Sequence, residues 1–509
     1  VSEIKPSRTV GRTQEAKGWR HMPRWADWTI GVFVVLVIGA GVVVEYAVHH
    51  AEPMVRRRVV ASLQQRFNSP VELDALHISV FKGLQVTGSG LRILRIAGPN
   101  DPDAQTHGAA PMLSIKSFEF RAGIRELFEP TMRVAVVRVD GLQLNIPPKG
   151  ERGQLMAHDR AKKQPKLSIV VDKIVVSDMT LSIETDKPGK LPLVFQIRNV
   201  TLHDVGRAKA FPFDAWLVNA KPVGDIHSTG NFGPWVDAEP RDTPVDGNYS
   251  FTHADLGPIK GIAGILSSTG NYSGTLGNIG VTGETDTPDF QLDTTQHPVD
   301  LKTAYDATVD GTSGNTILNH VHATFLNTVL EAQGKIIRSK DMEGGAQNVP
   351  GHFVDIAVQS DHARIEDILE LAAKTEPAVM SGSMTLRAQL QIPPGKVSVS
   401  KKVRVQGTFA IHGATFNNAK WQDTVDKLSE RASGNMKEAG PDDAKRVASE
   451  MAGDFTLADS VVAISKLHYQ MPGAQVDMTG KYSLDGKTVN FDGMVRTKAT
   501  ASQMLTGWK

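Results

Sequence analysis

The chain of 509 residues contains no cysteine. That absence excludes disulfide scaffolds, thiolate-bound zinc, iron–sulfur clusters and thiol catalysis together. Aromatic residues are scarce at 6%, and 56 Lys and Arg nearly balance 55 Asp and Glu. A net charge of +1 supplies no bulk attraction for a polyanion, so no nucleic-acid partner is expected. Catalytic signatures are missing too: there is no Walker A loop, no GxSxG elbow and no HExxH. Ser79-Val80-Phe81-Lys82 and Ser398-Val399-Ser400-Lys401 match SxxK, but neither SDN nor KTG accompanies them. Gly88-Ser89-Gly90 lacks a third glycine and a following helix, and reads as a turn. His320-Val321-His322 puts two imidazoles on one strand face, half of a metal site; no third His lies nearby in sequence, and exposed polar positions account for the pair. Carboxylates gather at turns, as in Asp101-Pro102-Asp103 and Asp310-Gly311. The expectation is a protein with no catalytic residues, no cofactor and no metal.

Long apolar runs are absent with one exception. From Trp28 to Val44 every residue is apolar, Gly or Thr, and Tyr46-Ala47-Val48 follow Glu45. As a helix, residues 28–48 reach ~31 Å, about one hydrocarbon core. Trp25, Trp28 and Tyr46 stand where interfacial aromatics belong. A cleaved signal peptide has a shorter apolar region and a small-residue cut site, which Ala47-Val48-His49-His50 does not supply. Six basic residues precede the run (Lys5, Arg8, Arg12, Lys17, Arg20, Arg24) and four follow it (Arg56, Arg57, Arg58, Arg66). That bias predicts a basic cytoplasmic tail at 1–27, a transmembrane helix at 28–48, and the bulk of the chain beyond the membrane.

Residues 52–68 read as a short amphipathic helix with Val55, Val59, Leu63 and Phe67 on one face. Its arginines could rest on anionic headgroups, or the helix could cap the first strands. After Pro70 the apolar period changes from about four to two. Leu76–Val80, Leu84–Thr87, Leu91–Ile93, Leu142–Ile146, Leu181–Ile183 and Phe195–Ile197 all alternate. Such alternation means a sheet with one apolar and one polar face. Gly150–Lys166 reads as an exposed loop. Gly247-Asn248-Tyr249-Ser250 is echoed by Gly270-Asn271-Tyr272-Ser273, either a hairpin repeat or chance. Two helices are expected later, Ala363–Lys374 with Asp361 as its cap, and a charged one from about Asp423 to Met451, broken near Gly434.

An apolar sheet face must be covered, and so few helices cannot cover several hundred residues of strand. The sheet can close as a sandwich, or curl into a trough whose apolar floor is filled by something else. Beside a membrane, acyl chains are the nearest such material. The fold class expected is therefore mainly β, one membrane helix followed by a long curled antiparallel sheet with a few surface helices. Candidate lining residues are Ile78, Val80, Leu84, Val86, Leu91, Ile93, Leu142, Leu144 and Ile146, since Gln85, Arg92 and Gln143 make the opposite face polar.

The order of segments carries a resemblance. Behind the membrane run come Arg66-Phe67-Asn68-Ser69-Pro70-Val71-Glu72-Leu73, then His77–Leu84 and Gly90-Leu91-Arg92-Ile93. This resembles the start of the AsmA-like family of bacterial envelope proteins, with Asn68 where Gly is often found. Gly283–Leu292 and Val309–Thr316 look similar to the middle of longer members, and Gly407-Thr408-Phe409, Gly453-Asp454-Phe455 and Gly480-Lys481-Tyr482 to the C-terminal module. The resemblance implies an inner-membrane anchor, a periplasmic β-groove over 69–345 and a C-terminal module over 346–509. It implies kinship with chorein-type bridge proteins and a role in carrying phospholipid, or another acyl-chain lipid, towards the outer membrane. The helix at 52–68 would be where lipid leaves the bilayer, and other envelope proteins would meet the C-terminal end. A different reading is an assembly factor for outer-membrane proteins, recruiting clients by β-addition at a strand edge. A third is an enzyme acting on envelope glycans, which would need carboxylates clustered in a cleft.

Overall fold

A computed structural model describes residues 69–80, 84–94, 111–123, 131–146, 168–183, 193–206, 209–236, 239–259, 261–293, 295–342, 349, 351–373, 377–433, 447–483 and 488–498, with most of 52–64. The expected membrane span at 28–48, the tail before it, the loop at 150–166, Val55 and Phe67 lie outside the described residues. Among the described residues no helix is long and apolar enough to cross a membrane.

Among the described residues, alternating sequence builds 23 strands. The first are β1 (Val71–Glu72), β2 (Ala75–Ser79), β3 (Leu84–Leu94), β4 (Pro111–Ala122), β5 (Thr131–Ile146), β6 (Ser168–Ile183) and β7 (Leu193–Val205). Next come β8 (Phe211–Ala220), β9 (Val223–Phe232), β10 (Pro244–Asp255), β11 (Ile262–Ala263), β12 (Ile265–Thr275), β13 (Asn278–Leu292) and β14 (Val299–Val309). Then follow β15 (Thr316–Phe325), β16 (Thr328–Arg338), β17 (His352–Arg364), β18 (Met380–Ile392) and β19 (Arg404–Phe416). The last are β20 (Ser449–Ala458), β21 (Val461–Met471), β22 (Ala474–Ser483) and β23 (Val489–Thr497).

Pairing follows chain order. β1 and β2 both lie on β3, β11 pairs with β13, and every other strand from β3 onward lies beside the next in sequence. Among the described strands only β5 and β6 pair in parallel. The sheet is open: no pairing joins β23 to β1 or β2 among the described residues. It also runs on through β16 and β17, on either side of residues 345 and 346.

Gly88-Ser89-Gly90, expected as a turn, lies inside β3. Gly90 does take a left-handed conformation (φ +65), and so do Gly141 (φ +65) and Asp178 (φ 53). The register brings these three into one line. Ser117 and Ile115, paired with Ser89 and Leu91, bracket Lys116, against which Gly141 lies. The parallel pairs Asp140–Ser177 and Gln143–Thr180 bracket Gly141 and Asp178. One left-handed residue turns a strand over without ending it. The apolar set accordingly slips by one position there, from Leu84 and Val86 to Leu91 and Ile93 in β3, and from Val137 and Val139 to Leu142 and Leu144 in β5. Leu84, Val86 and Leu91 share one apolar cluster, so the slip keeps one face apolar.

Helices are few. The described residues between 52 and 64 form α1, as the period of four predicts. α2 spans Ile365–Ala372, shorter than expected, and has no side-chain cap. Asp361 is not its cap; it lies in β17 and faces Arg387 at 3.3 Å. α2 is tied down from its first turn, where the buried Asp367 accepts from the Asn327 amide at 2.9 Å and the Thr328 hydroxyl at 2.8 Å. α3 spans Ala419–Ser433, and Asn418 Oδ1 accepts from the amides of Lys420 and Trp421. The expected helix to Met451 is corrected, since Met451 belongs to β20.

Candidate functional site

The pairing register lets one row be followed across the sheet, a residue per strand. It begins Ile78, Val86, Phe120, Val137, Ile174, Leu202, Phe213. It continues Gly230, Gly247, Tyr272, Val281, Ala307, Leu318, Gly334. It ends Ile356, Leu390, Val405, Leu457, Val462, Tyr482, Val489. No charged or amide side chain occurs in it. At about 4.8 Å per strand, the row is on the order of 95 Å long.

Cover on this face is local. α2 packs Ile368 and Leu369 on Met384 and Ile411. α3 packs Val425, Leu428 and Ala432 on Tyr469, Met471 and Val476. α1 places Val60 against Leu73, Leu76 and Val86. From β17 to β21, away from these helices, the face stays half-exposed. Val354, Ile356, Val358, Leu390, Ile392, Val405, Phe455, Leu457, Val462 and Ile464 are all partly accessible, and none belongs to a helix-covered cluster. Each forgoes on the order of 1 kcal/mol of burial. Together they forgo on the order of 10 kcal/mol, as much as the net stability of a typical domain.

The expected lining residues separate into two groups. Ile78, Leu84, Val86 and Leu91 come together beside Phe118 and Phe120, under Val60 of α1. Val86 and Ile93 are buried, while Val80, Leu142 and Leu144 are half-buried. Ile93 pairs with Leu113, Leu113 with Leu144, and Leu144 with Leu181. Ile146 ends β5, its backbone paired with Ile183. On α1, Val59 and Leu63 are half-buried; Val60, absent from the expected face, makes the packing contact. The partly accessible apolar positions of β17 to β21 that lie away from α2 and α3 were missed, although Leu386-Arg387-Ala388-Gln389-Leu390 alternates as clearly as any early strand.

The echoed Gly-Asn-Tyr-Ser segments lie on adjacent strands, with Gly247 opposite Tyr272 and Tyr249 opposite Gly270. Each ring lies over the partner's glycine. A Cβ on Gly247 would stand 2.6 Å from the Tyr272 oxygen, and one on Gly270 2.8 Å from the Tyr249 ring. Only glycine leaves room for such a ring. Phe118 over Gly88 and Phe409 over Gly453 repeat the device with no hydroxyl. Burial raises the Tyr249 and Tyr272 hydroxyls above their ordinary pKa, so both are neutral across the physiological range.

The other face is polar and wet. Arg92 pairs with Glu72 at 2.9 Å and Asp74 at 2.7 Å, Gln85 donates to Glu119 at 2.8 Å, and Arg133 pairs with Asp172 at 2.7 Å. His320 and His322 both turn to Glu331, at 2.8 and 2.6 Å. Among the described residues no group of three or more His, Asp or Glu is arranged to hold a metal ion. Asp310 serves its turn: its carboxylate accepts from the Thr312 amide and hydroxyl and from the Ser313 amide. Partial burial pushes that carboxyl up, but these hydrogen bonds outweigh it and hold it at about 2.

No protein-family model, curated protein or solved structure matches this chain.

Proposed function

We propose that this protein holds or conducts acyl-chain lipid along the uncovered apolar face of its sheet, as a single-pass protein of the bacterial inner membrane with its sheet in the periplasm. The continuous row from Ile78 to Val489, covered by helices only in places, carries the reading. An uncovered apolar strip of this length is unfavourable in water, and hydrocarbon filling it removes the penalty at about 0.8 kcal/mol per CH₂. The apolar segment at 28–48 would place the strip beside a bilayer. The AsmA-like resemblance of the N-terminal motifs agrees with phospholipid as cargo and with a part in supplying the outer membrane.

The test is to purify the protein in detergent, extract it with organic solvent and identify the lipid by mass spectrometry. Leu390→Asp and Leu457→Asp put charge on the helix-free strip without touching the helix-covered clusters. Co-purified phospholipid should fall at least severalfold in the double variant while its circular dichroism is unchanged. Equal, trace lipid in both folded proteins would sink the reading.

A second reading has its own observation. β23 is an edge among the described strands, with Val489 64%, Met494 61% and Val495 51% exposed. Such an edge can take an added strand from another protein. Peptide rather than lipid in the extracted material would favour an assembly factor for outer-membrane proteins.

A further inference from the structure

The apolar face carries a band of hydroxyl groups across β9 to β14. Tyr249, Tyr272 and Tyr305 project from β10, β12 and β14 onto the apolar face, with Ser228, Ser268, Thr285 and Thr303 around them. Hydroxyl is thus concentrated where neighbouring strands present Phe, Leu, Ile and Val. Each hydroxyl has one proton, so the donors can be assigned in turn. Ser268 gives its proton to the Glu284 carbonyl at 2.9 Å. Tyr249 must then donate to Ser268 at 3.0 Å, and Tyr305 to Tyr249. Likewise Ser228 gives its proton to the Asn248 carbonyl at 3.0 Å, so Tyr272 donates to Ser228 at 2.7 Å.

Both chains end in a backbone carbonyl and start at a tyrosine. All five protons are committed. The oxygens of Tyr272 and Tyr305 remain as acceptors on half-buried side chains. At Tyr272 and Tyr305 a ligand gains a hydrogen bond only if it brings its own donor, and an ester or ether oxygen finds none from these two; the one spare hydroxyl proton of the band is at the Thr285–Thr303 pair, whose oxygens lie 2.6 Å apart. The flanks, Val245 and Phe251 in β10 and Leu301 and Val309 in β14, are hydrocarbon.

We propose that Tyr272 and Tyr305 form a selective station on the lipid-bearing face, accepting a hydrogen bond from a hydroxyl group carried on an acyl chain. This rests on the lipid-holding reading above and adds the class of chain preferred.

The full-length protein, delipidated in detergent, is titrated with myristic acid, its 3-hydroxy derivative and its 3-methoxy derivative. The hydroxy chain should bind about fivefold more tightly than the plain one, as one net hydrogen bond gives. The methoxy chain, which accepts but cannot donate, should bind no better than the plain chain. In Tyr272→Phe/Tyr305→Phe the rings stay and the hydroxy preference should vanish. Equal binding of plain and hydroxy chains to the wild type overturns the station and leaves the lipid-holding reading standing. A preference retained by the folded variant, or shared by the methoxy chain, also overturns it. If no chain binds, the lipid-holding reading fails and the station with it. The three-ligand comparison on the wild type decides the matter even if the double variant does not fold.

Discussion

Asp310 shows how one carboxylate closes a turn and makes it pH-sensitive. Its pKa is depressed from 3.8 to about 2, so the folded state favours the charged form. The stabilisation is therefore complete above pH ~4, declines through the window down to about 2, and is absent below it. Asp310→Asn should lower stability by about 1–2 kcal/mol at neutral pH. Urea titrations of both proteins should diverge at neutral pH and converge as the pH approaches 2. A difference that persisted there would assign the effect to packing rather than charge. Asp310-Gly311 was readable as a turn because Asp favours its own backbone two residues on. The tyrosine chain was not readable, since it depends on which strands become neighbours.

At the scale of the element, the strands owe their one-sidedness to local conformation as well as to alternation. Asp178 holds φ 53 in mid-strand, where β6 turns over between Val176 and Met179. Asp tolerates that region; a β-branched residue does not. Asp178→Val should destabilise by about 2 kcal/mol in equilibrium unfolding, and Asp178→Gly should be neutral or slightly stabilising. Equal loss in both would mean that the carboxylate, not the backbone, matters. This slip also explains what the sequence could and could not yield. Leu142-Gln143-Leu144 and Leu91-Arg92-Ile93 announced strands and their apolar sides by alternation alone. A pattern that shifts by one residue at a glycine looks like a strand ending, so Gly88-Ser89-Gly90 read as a turn. Helix limits failed for a similar reason. Ala363 and Met451 fit a helical period, but cross-strand partners Met384 and Ile411 claim them for the sheet.

For the whole molecule, the uncovered face predicts a response without unfolding. The delipidated protein should bind 1-anilinonaphthalene-8-sulfonate strongly while keeping its β circular dichroism, and added phospholipid should displace the dye. Dye binding only after β signal is lost would mean that the face is sealed in solution. Because nearly every described strand leans on its immediate neighbours in the chain, the sheet has no long-range closure among the described residues. Such an architecture behaves as a one-dimensional stack, growing hairpin by hairpin and fraying from its ends. Adding or deleting a hairpin would change its length by about 10 Å while leaving the remaining contacts intact. Reach is then a heritable variable, adjustable in steps, in a protein whose cross-section stays the same.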